Sequence, residues 1–206
     1  MSFNMSITRP DGSVWLSPDQ TPFCFIEKIN FLSPGTYVTK VPVSKQIVCF
    51  AKVSGMAPIV MSYGESNGYN TVNITKGGSG TLYVFSNYEQ NSGEYGIAFY
   101  DKSGAVVYSA ESKPLVFSSI ETPIVQTGTF HELEIGYECA VLPAMVHQRV
   151  IRFGANLNWL IGFCYSSAYG TKISSVIEHQ VEVMSWPDVE TKFKKTMEYI
   201  KISDYD

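Results

Sequence analysis

Two stretches of this chain carry the same pattern, and that repeat restricts the possible folds more than any other feature. The first is Ile7-Thr8-Arg9-Pro10-Asp11-Gly12-Ser13-Val14-Trp15-Leu16-Ser17, followed by Pro22-Phe23-Cys24-Phe25. The second is Tyr95-Gly96-Ile97-Ala98-Phe99-Tyr100-Asp101-Lys102-Ser103-Gly104-Ala105-Val106-Val107-Tyr108-Ser109, followed by Pro114-Leu115-Val116-Phe117. Gly12 and Gly104, Val14 and Val106, Ser17 and Ser109, Pro22 and Pro114, and Phe25 and Phe117 all lie 92 positions apart. With a one-residue slip, Pro34-Gly35-Thr36-Tyr37 then aligns with Thr127-Gly128-Thr129-Phe130. In each stretch Asp and Ser can bond to the backbone of a turn and Gly tolerates positive φ, so both read as short strands joined by a polar turn. A period of this kind implies a duplicated β unit.

The remaining segments also read as strands. Residues 23–31, 37–43, 46–53, 59–63, 69–74 and 82–85 follow the first hairpin, and a polar linker covers 87–94. The continuous apolar run at 46–53 suits a strand covered on both faces. Pro42 confines its own strand to a sheet edge or a bulge. After the second hairpin, strands are expected at 115–117, 130–138, 147–153, 157–165, 174–184 and 197–202. Charged residues make up only 17% of the chain, and 13 Tyr and 12 Phe favour pleated faces. The expected fold is all-β: two tandem antiparallel β-sandwich modules, immunoglobulin-like or jelly-roll-like, at 1–92 and 93–206. Ser185-Trp186-Pro187-Asp188 carries helix-start signals, so at most one short helix is expected, near 187–195.

No segment discloses a reaction, and no catalytic, cofactor-binding or metal-binding residue is assigned. Gly64-Glu65-Ser66-Asn67-Gly68 fits the G-x-S-x-G pattern, but a nucleophile elbow needs a helix after it. Here an alternating Tyr69-Asn70-Thr71-Val72-Asn73-Ile74 follows, and Asn67-Gly68 is a hairpin turn pair. His131, His147 and His179 lack the short spacing of metal ligands. Gly77-Gly78-Ser79-Gly80 lacks the Lys-Ser/Thr of a phosphate loop. The Lys192, Lys194 and Lys195 cluster reads as a solvated face. A net charge of −4 gives no electrostatic footprint for nucleic acid. There is no basic-then-apolar opening of a signal peptide, and no apolar run near the ~20 residues that cross a bilayer. Cys24, Cys49, Cys139 and Cys164 each sit in an apolar run and are expected as buried reduced thiols, with Cys24–Cys49 and Cys139–Cys164 disulfides as the lesser alternative.

Trp15, Tyr63, Tyr69, Tyr95, Tyr165 and Tyr169 are the candidate interface residues. The tyrosines lie in or beside expected turns, and a flat apolar ring with a polar tip and few rotamers suits recognition. The segment 95–109 with Lys113-Pro114-Leu115 resembles a pattern in small β-rich virion proteins of tailed bacteriophages, and 7–17 looks like its N-terminal version. The resemblance implies a non-enzymatic structural protein of the virion, made in the host bacterial cytoplasm. It would be a minor tail protein at the tail tip, collar or connector, acting in multiple symmetric copies through other virion proteins and helping host attachment. It implies no cofactor, nucleic acid or membrane. The alternative is a carbohydrate-binding β-sandwich that takes a host-surface glycan.

Overall fold

The computed structural model describes residues 7–8, 14–16, 21–88, 96–101, 103–122, 130–153, 158–183 and 196–206. In chain order the strands are β1 (Ile7–Thr8), β2 (Val14–Leu16), β3 (Cys24–Phe31), β4 (Gly35–Pro42), β5 (Ile47–Val53), β6 (Val60–Ser66), β7 (Tyr69–Lys76), β8 (Gly80–Ser86), β9 (Ala98–Tyr100), β10 (Val106–Ser109), β11 (Ser118–Glu121), β12 (Phe130–Glu134), β13 (Cys139–Val141), β14 (Met145–Phe153), β15 (Asn158–Tyr169), β16 (Lys172–Val183) and β17 (Thr196–Lys201). A single 3-10 turn at Ile202–Asp204 is the one helical element among the described residues. The protein is all-β, as expected. The helix expected near 187–195 lies outside the described residues.

The repeat found in the sequence is a repeat of structure. In β1–β2, Ile7 pairs with Leu16 and Thr8 with Val14. In β9–β10, Phe99 pairs with Tyr108 and Tyr100 with Val106, so the register and its irregularity recur 92 positions later. The turn of the second hairpin is closed by Asp101, whose Oδ1 accepts from Ser103 N (2.8 Å), Ser103 Oγ and Ala105 N (2.9 Å). Gly104 follows at φ 87°, where a side chain would be strained. These bonds, that from the Ser103 hydroxyl first, hold the Asp101 carboxyl below its ordinary pKa.

The two halves also wind alike. In the first, β3-β8-β5 form one layer and β4-β7-β6 the other; in the second, β11-β17-β13 and β12-β16-β15-β14 do the same. Each is a shortened jelly roll whose first strand pairs with its last, and the second half adds β14. The two halves, expected as tandem sandwiches at 1–92 and 93–206, share one sheet. β5 pairs antiparallel with β13 at Ala51–Val141, so six strands run as one sheet, β11-β17-β13-β5-β8-β3. The chain entering β11 then meets the start of β3: Cys24 bridges Pro114, Phe25 N donates to Lys113 O (2.8 Å) and Leu115 N to Phe23 O (2.7 Å). The sheet thereby closes on itself at one end. The strand expected at 115–117 begins later, at Ser118, because residues 113–115 are engaged in this seam.

Alternation along the shared strands separates three cores. Cys49, Ala51, Val53, Leu82 and Val84 face β4-β7-β6, where they meet Val41, Val72 and Ile74. Cys139, Val141 and Met197 face β12-β16-β15-β14, with Val146, Cys164, Ala168 and Ile173. Phe50, Tyr83, Phe85, Ala140 and Ile200 turn the other way, toward Tyr205. The run at 46–53 is thus covered on both faces, as its continuous apolarity implies. Phe85 and Tyr205 stack edge-on at 4.8 Å, and Phe25 and Phe50 each lie 5.7 Å from Phe85. The Tyr205 hydroxyl accepts from Val116 N (2.8 Å) and donates to Pro114 O (3.1 Å), so one side chain holds the seam from inside.

Removing that hydroxyl leaves Val116 N and Pro114 O without it. Tyr205→Phe is therefore expected to lower unfolding stability by about 1–3 kcal/mol, read as a fall in urea midpoint. An unchanged midpoint would show that the seam does not depend on Tyr205.

Candidate functional site

Burial, edges and charge decide which surfaces can act. Of the six interface candidates, Tyr95 lies outside the described residues, and Trp15 is placed by backbone alone, on β2, which pairs with β1. Tyr63 pairs with Val72 and shares its inward face. Its hydroxyl crosses to the shared sheet and accepts from Cys49 N (3.2 Å), although 48% of the residue remains exposed. Burial of that hydroxyl pushes its pKa well up. Tyr69, 45% exposed, falls on the opposite, outer face of the same sheet by strand alternation. Tyr165 and Tyr169 share by alternation the face of β15 opposite Cys164, and on that face Tyr169 packs against the first core. The structure thus spreads these tyrosines over several faces and does not gather them.

Ser66 ends β6 and pairs with Tyr69 at the start of β7, with Asn67 (φ 51°) and Gly68 (φ 81°) between them. That is a two-residue I′ hairpin turn, so a strand follows the G-x-S-x-G motif and the elbow geometry is not formed. The three histidines share the sheet β12-β16-β15-β14: His131 pairs with Ser175, His147 with Cys164 and His179 with Phe163. Nothing in their spacing signalled this, because it arises from long-range pairing. Among the described residues no cluster of three or more metal-ligating side chains occurs, and no helix is long and apolar enough to cross a membrane.

A cleft of about 660 Å³ opens beside β3, β5 and β8 and is lined by Asn30, Lys52, Thr81, Tyr83, Glu138 and Asp206 among others. Its charges are already paired across the two halves: Lys28 with Asp206, and Lys52 with Glu138 at 2.8 Å. Lys28 Nζ also sits 5.9 Å from the Tyr83 ring centre. Burial, then Asp206 and Glu138, push the Tyr83 hydroxyl up to about 12. A Cβ on Gly80 would fall 2.2 Å from Lys52 O, so the strands here are packed backbone to backbone. Both bridges are solvent-accessible and worth roughly 0–1 kcal/mol each. A ligand would have to displace them, which makes the cleft a seam between the halves before it is a pocket.

The outer sheets differ in how their edges are finished. On β4, Lys40 N donates to Glu27 Oε1 (2.6 Å), and Pro42 has no N–H to offer. Side-chain capping and proline are the usual guards of an edge strand. On the opposite edge, β6 pairs only with β7 among the described residues, and its Ser62, Tyr63 and Glu65 are exposed. Pro42 sits on an edge strand at a register shift, as its lack of an N–H implies, whereas the β6 edge and the Glu27 cap depend on which strands become neighbours and left no sign in the sequence. Comparisons with protein-family models, curated proteins and solved structures gave no match.

All four cysteines are free and buried, so the disulfide alternative is set aside. Burial pushes the thiols of Cys24 up to about 11 and of Cys49 and Cys139 up to about 12, from 9.0. The fold keeps these groups neutral while the unfolded chain ionises them at lower pH, so their contribution to stability is complete below about pH 9 and is lost as pH rises toward about 12. The urea midpoint is expected to fall between about pH 8 and about pH 10.5. A midpoint that held or rose over that interval would overturn the assignment.

Proposed function

We propose that this chain is a non-enzymatic structural component of a tailed-bacteriophage virion, acting through protein–protein interfaces at the tail tip, collar or connector and contributing to host attachment. The observation that carries the reading is the build of the molecule. A closed, aromatic-filled sheet supports two outer sheets, and one of these ends in an unguarded edge. Rigid β scaffolds with open edges suit assembly, because backbone groups at an edge pair with a neighbour's strand. The paired hairpins that carry the resemblance to virion proteins also fold as hairpins with one register. The carbohydrate-binding alternative calls for several tyrosines on one exposed face, and Tyr63 and Tyr69 instead take opposite faces of one sheet.

Particles purified on a density gradient are expected to hold the chain at a fixed ratio to the major capsid protein and to keep it through a wash at about 1 M salt, which screens loosely adsorbed protein. Particles that lack the chain, or lose it in that wash, would overturn the reading. A glycan array that returned selective binding would favour the alternative.

A further inference from the structure

The second half of the molecule shows what covers the edge that the first half leaves open. In the matched topologies β6 corresponds to β15, each being the partner of the strand that precedes the last of its half. β15 carries a further antiparallel strand on its far side, β14, paired from Met145–Tyr165 to Phe153–Asn158. β6 has no such neighbour among the described residues. Its own geometry shows which groups are left over. The I′ turn makes Ser66–Tyr69 a hydrogen-bonded pair, so by alternation Gly64 and Ser62 also bond to β7, while Met61, Tyr63 and Glu65 direct N–H and C=O outward. No backbone partner is found for these three among the described residues. The edge holds none of the lysine or proline that keeps strands from pairing.

We propose that β6 pairs antiparallel with β6 of a second copy of this chain, about a two-fold axis at Tyr63. The sheet would then run β4-β7-β6 into β6-β7-β4 of the other copy. The fold already contains one such join: Ala51–Val141 unites the corresponding strands β5 and β13 in the same antiparallel sense. The register is self-complementary. Tyr63 meets Tyr63, and each Glu65 lies opposite Met61 of the other copy, so the one charge on the strand never faces its like. The outward groups of three residues on each side supply about six backbone hydrogen bonds, and the exposed half of Tyr63 is covered at the axis. An edge of seven residues is at the small end of specific interfaces, so the dimer is expected above about 10 µM and is strengthened where many copies are held together.

The inference deepens the interface part of the proposed function, and it is tested on the isolated full chain so that its failure is separate from absence in particles. Sedimentation velocity from about 1 µM to about 1 mM is expected to show a monomer passing to a dimer. Hydrogen exchange is expected to slow at Met61, Tyr63 and Glu65 as the concentration rises. Glu65→Pro removes one outward N–H and no bond to β7, so it should raise the dissociation constant at least tenfold while the circular dichroism spectrum is kept. If that variant fails to fold, the exchange pattern of the native chain decides. A monomer at all concentrations overturns the proposal, as does a dimer whose protected amides lie on β4 or β14.

Discussion

The structure depends on two places where corresponding pieces of the chain meet each other: Ala51 with Val141, and residues 23–25 with residues 113–115. The first makes one sheet from two halves, and the second brings the ends of that sheet together. Neither contact is large. Their effect comes from what they enclose, since Phe25, Phe50, Phe85 and Tyr205 fill the inner side of the sheet and would otherwise face water. Edge-on aromatic packing at these distances adds to the burial itself, by about 0.5–1.5 kcal/mol per pair. Tyr205 matters twice, as a ring in that cluster and as the hydroxyl that satisfies the seam.

Closing the sheet changes what the rest of the chain is free to do. A shared sheet that meets itself has few open edges, so the edges available for pairing belong to the outer layers. Those layers are held to the shared sheet by apolar cores and by individual polar contacts. The Tyr63 hydroxyl satisfies Cys49 N at a point on β5 where β13 is not paired, and Ser167 Oγ donates to Ala57 O (2.6 Å) to tie β15 to the chain before β6. Both are cases of a side chain standing in for a missing backbone partner, which is how buried polar groups are generally satisfied.

Much of this was legible in the residues, and the rest was hidden for a physical reason. Most strand positions followed from alternation, from turn residues and from the Pro and Gly punctuation, and the 92-residue repeat matched the two hairpins, whose registers correspond. Tyr37 and Phe130, matched by a slip, lie on β4 and β12, which are equivalent in topology. The matching was less faithful for environment: Phe25 lies among the core aromatics, while Phe117, its counterpart by spacing, is 56% exposed. β13 went unnoticed because three residues before a Pro give no period to read, although it is the strand that joins the halves. The tandem arrangement was expected because repeats are visible along a chain, whereas pairing between them is decided by contacts some ninety residues apart.

The difference between the halves is as informative as their likeness. A duplicated unit that joins through its central strands begins with equivalent outer edges on both sides. Here β14 covers one of them, and Glu27 and Pro42 finish the far edge of the other sheet. An exposed strand without such guards is a hazard, since any chain with free backbone groups can pair with it. The edge of β6 sits beside capped or covered counterparts in the same molecule, and Tyr63 is anchored there by its hydroxyl with its ring half in solvent. An anchored aromatic has already lost much of its rotamer freedom, so its burial by a neighbour costs little further entropy. The same bond that steadies the outer sheet on the shared one therefore also prepares that edge to be met.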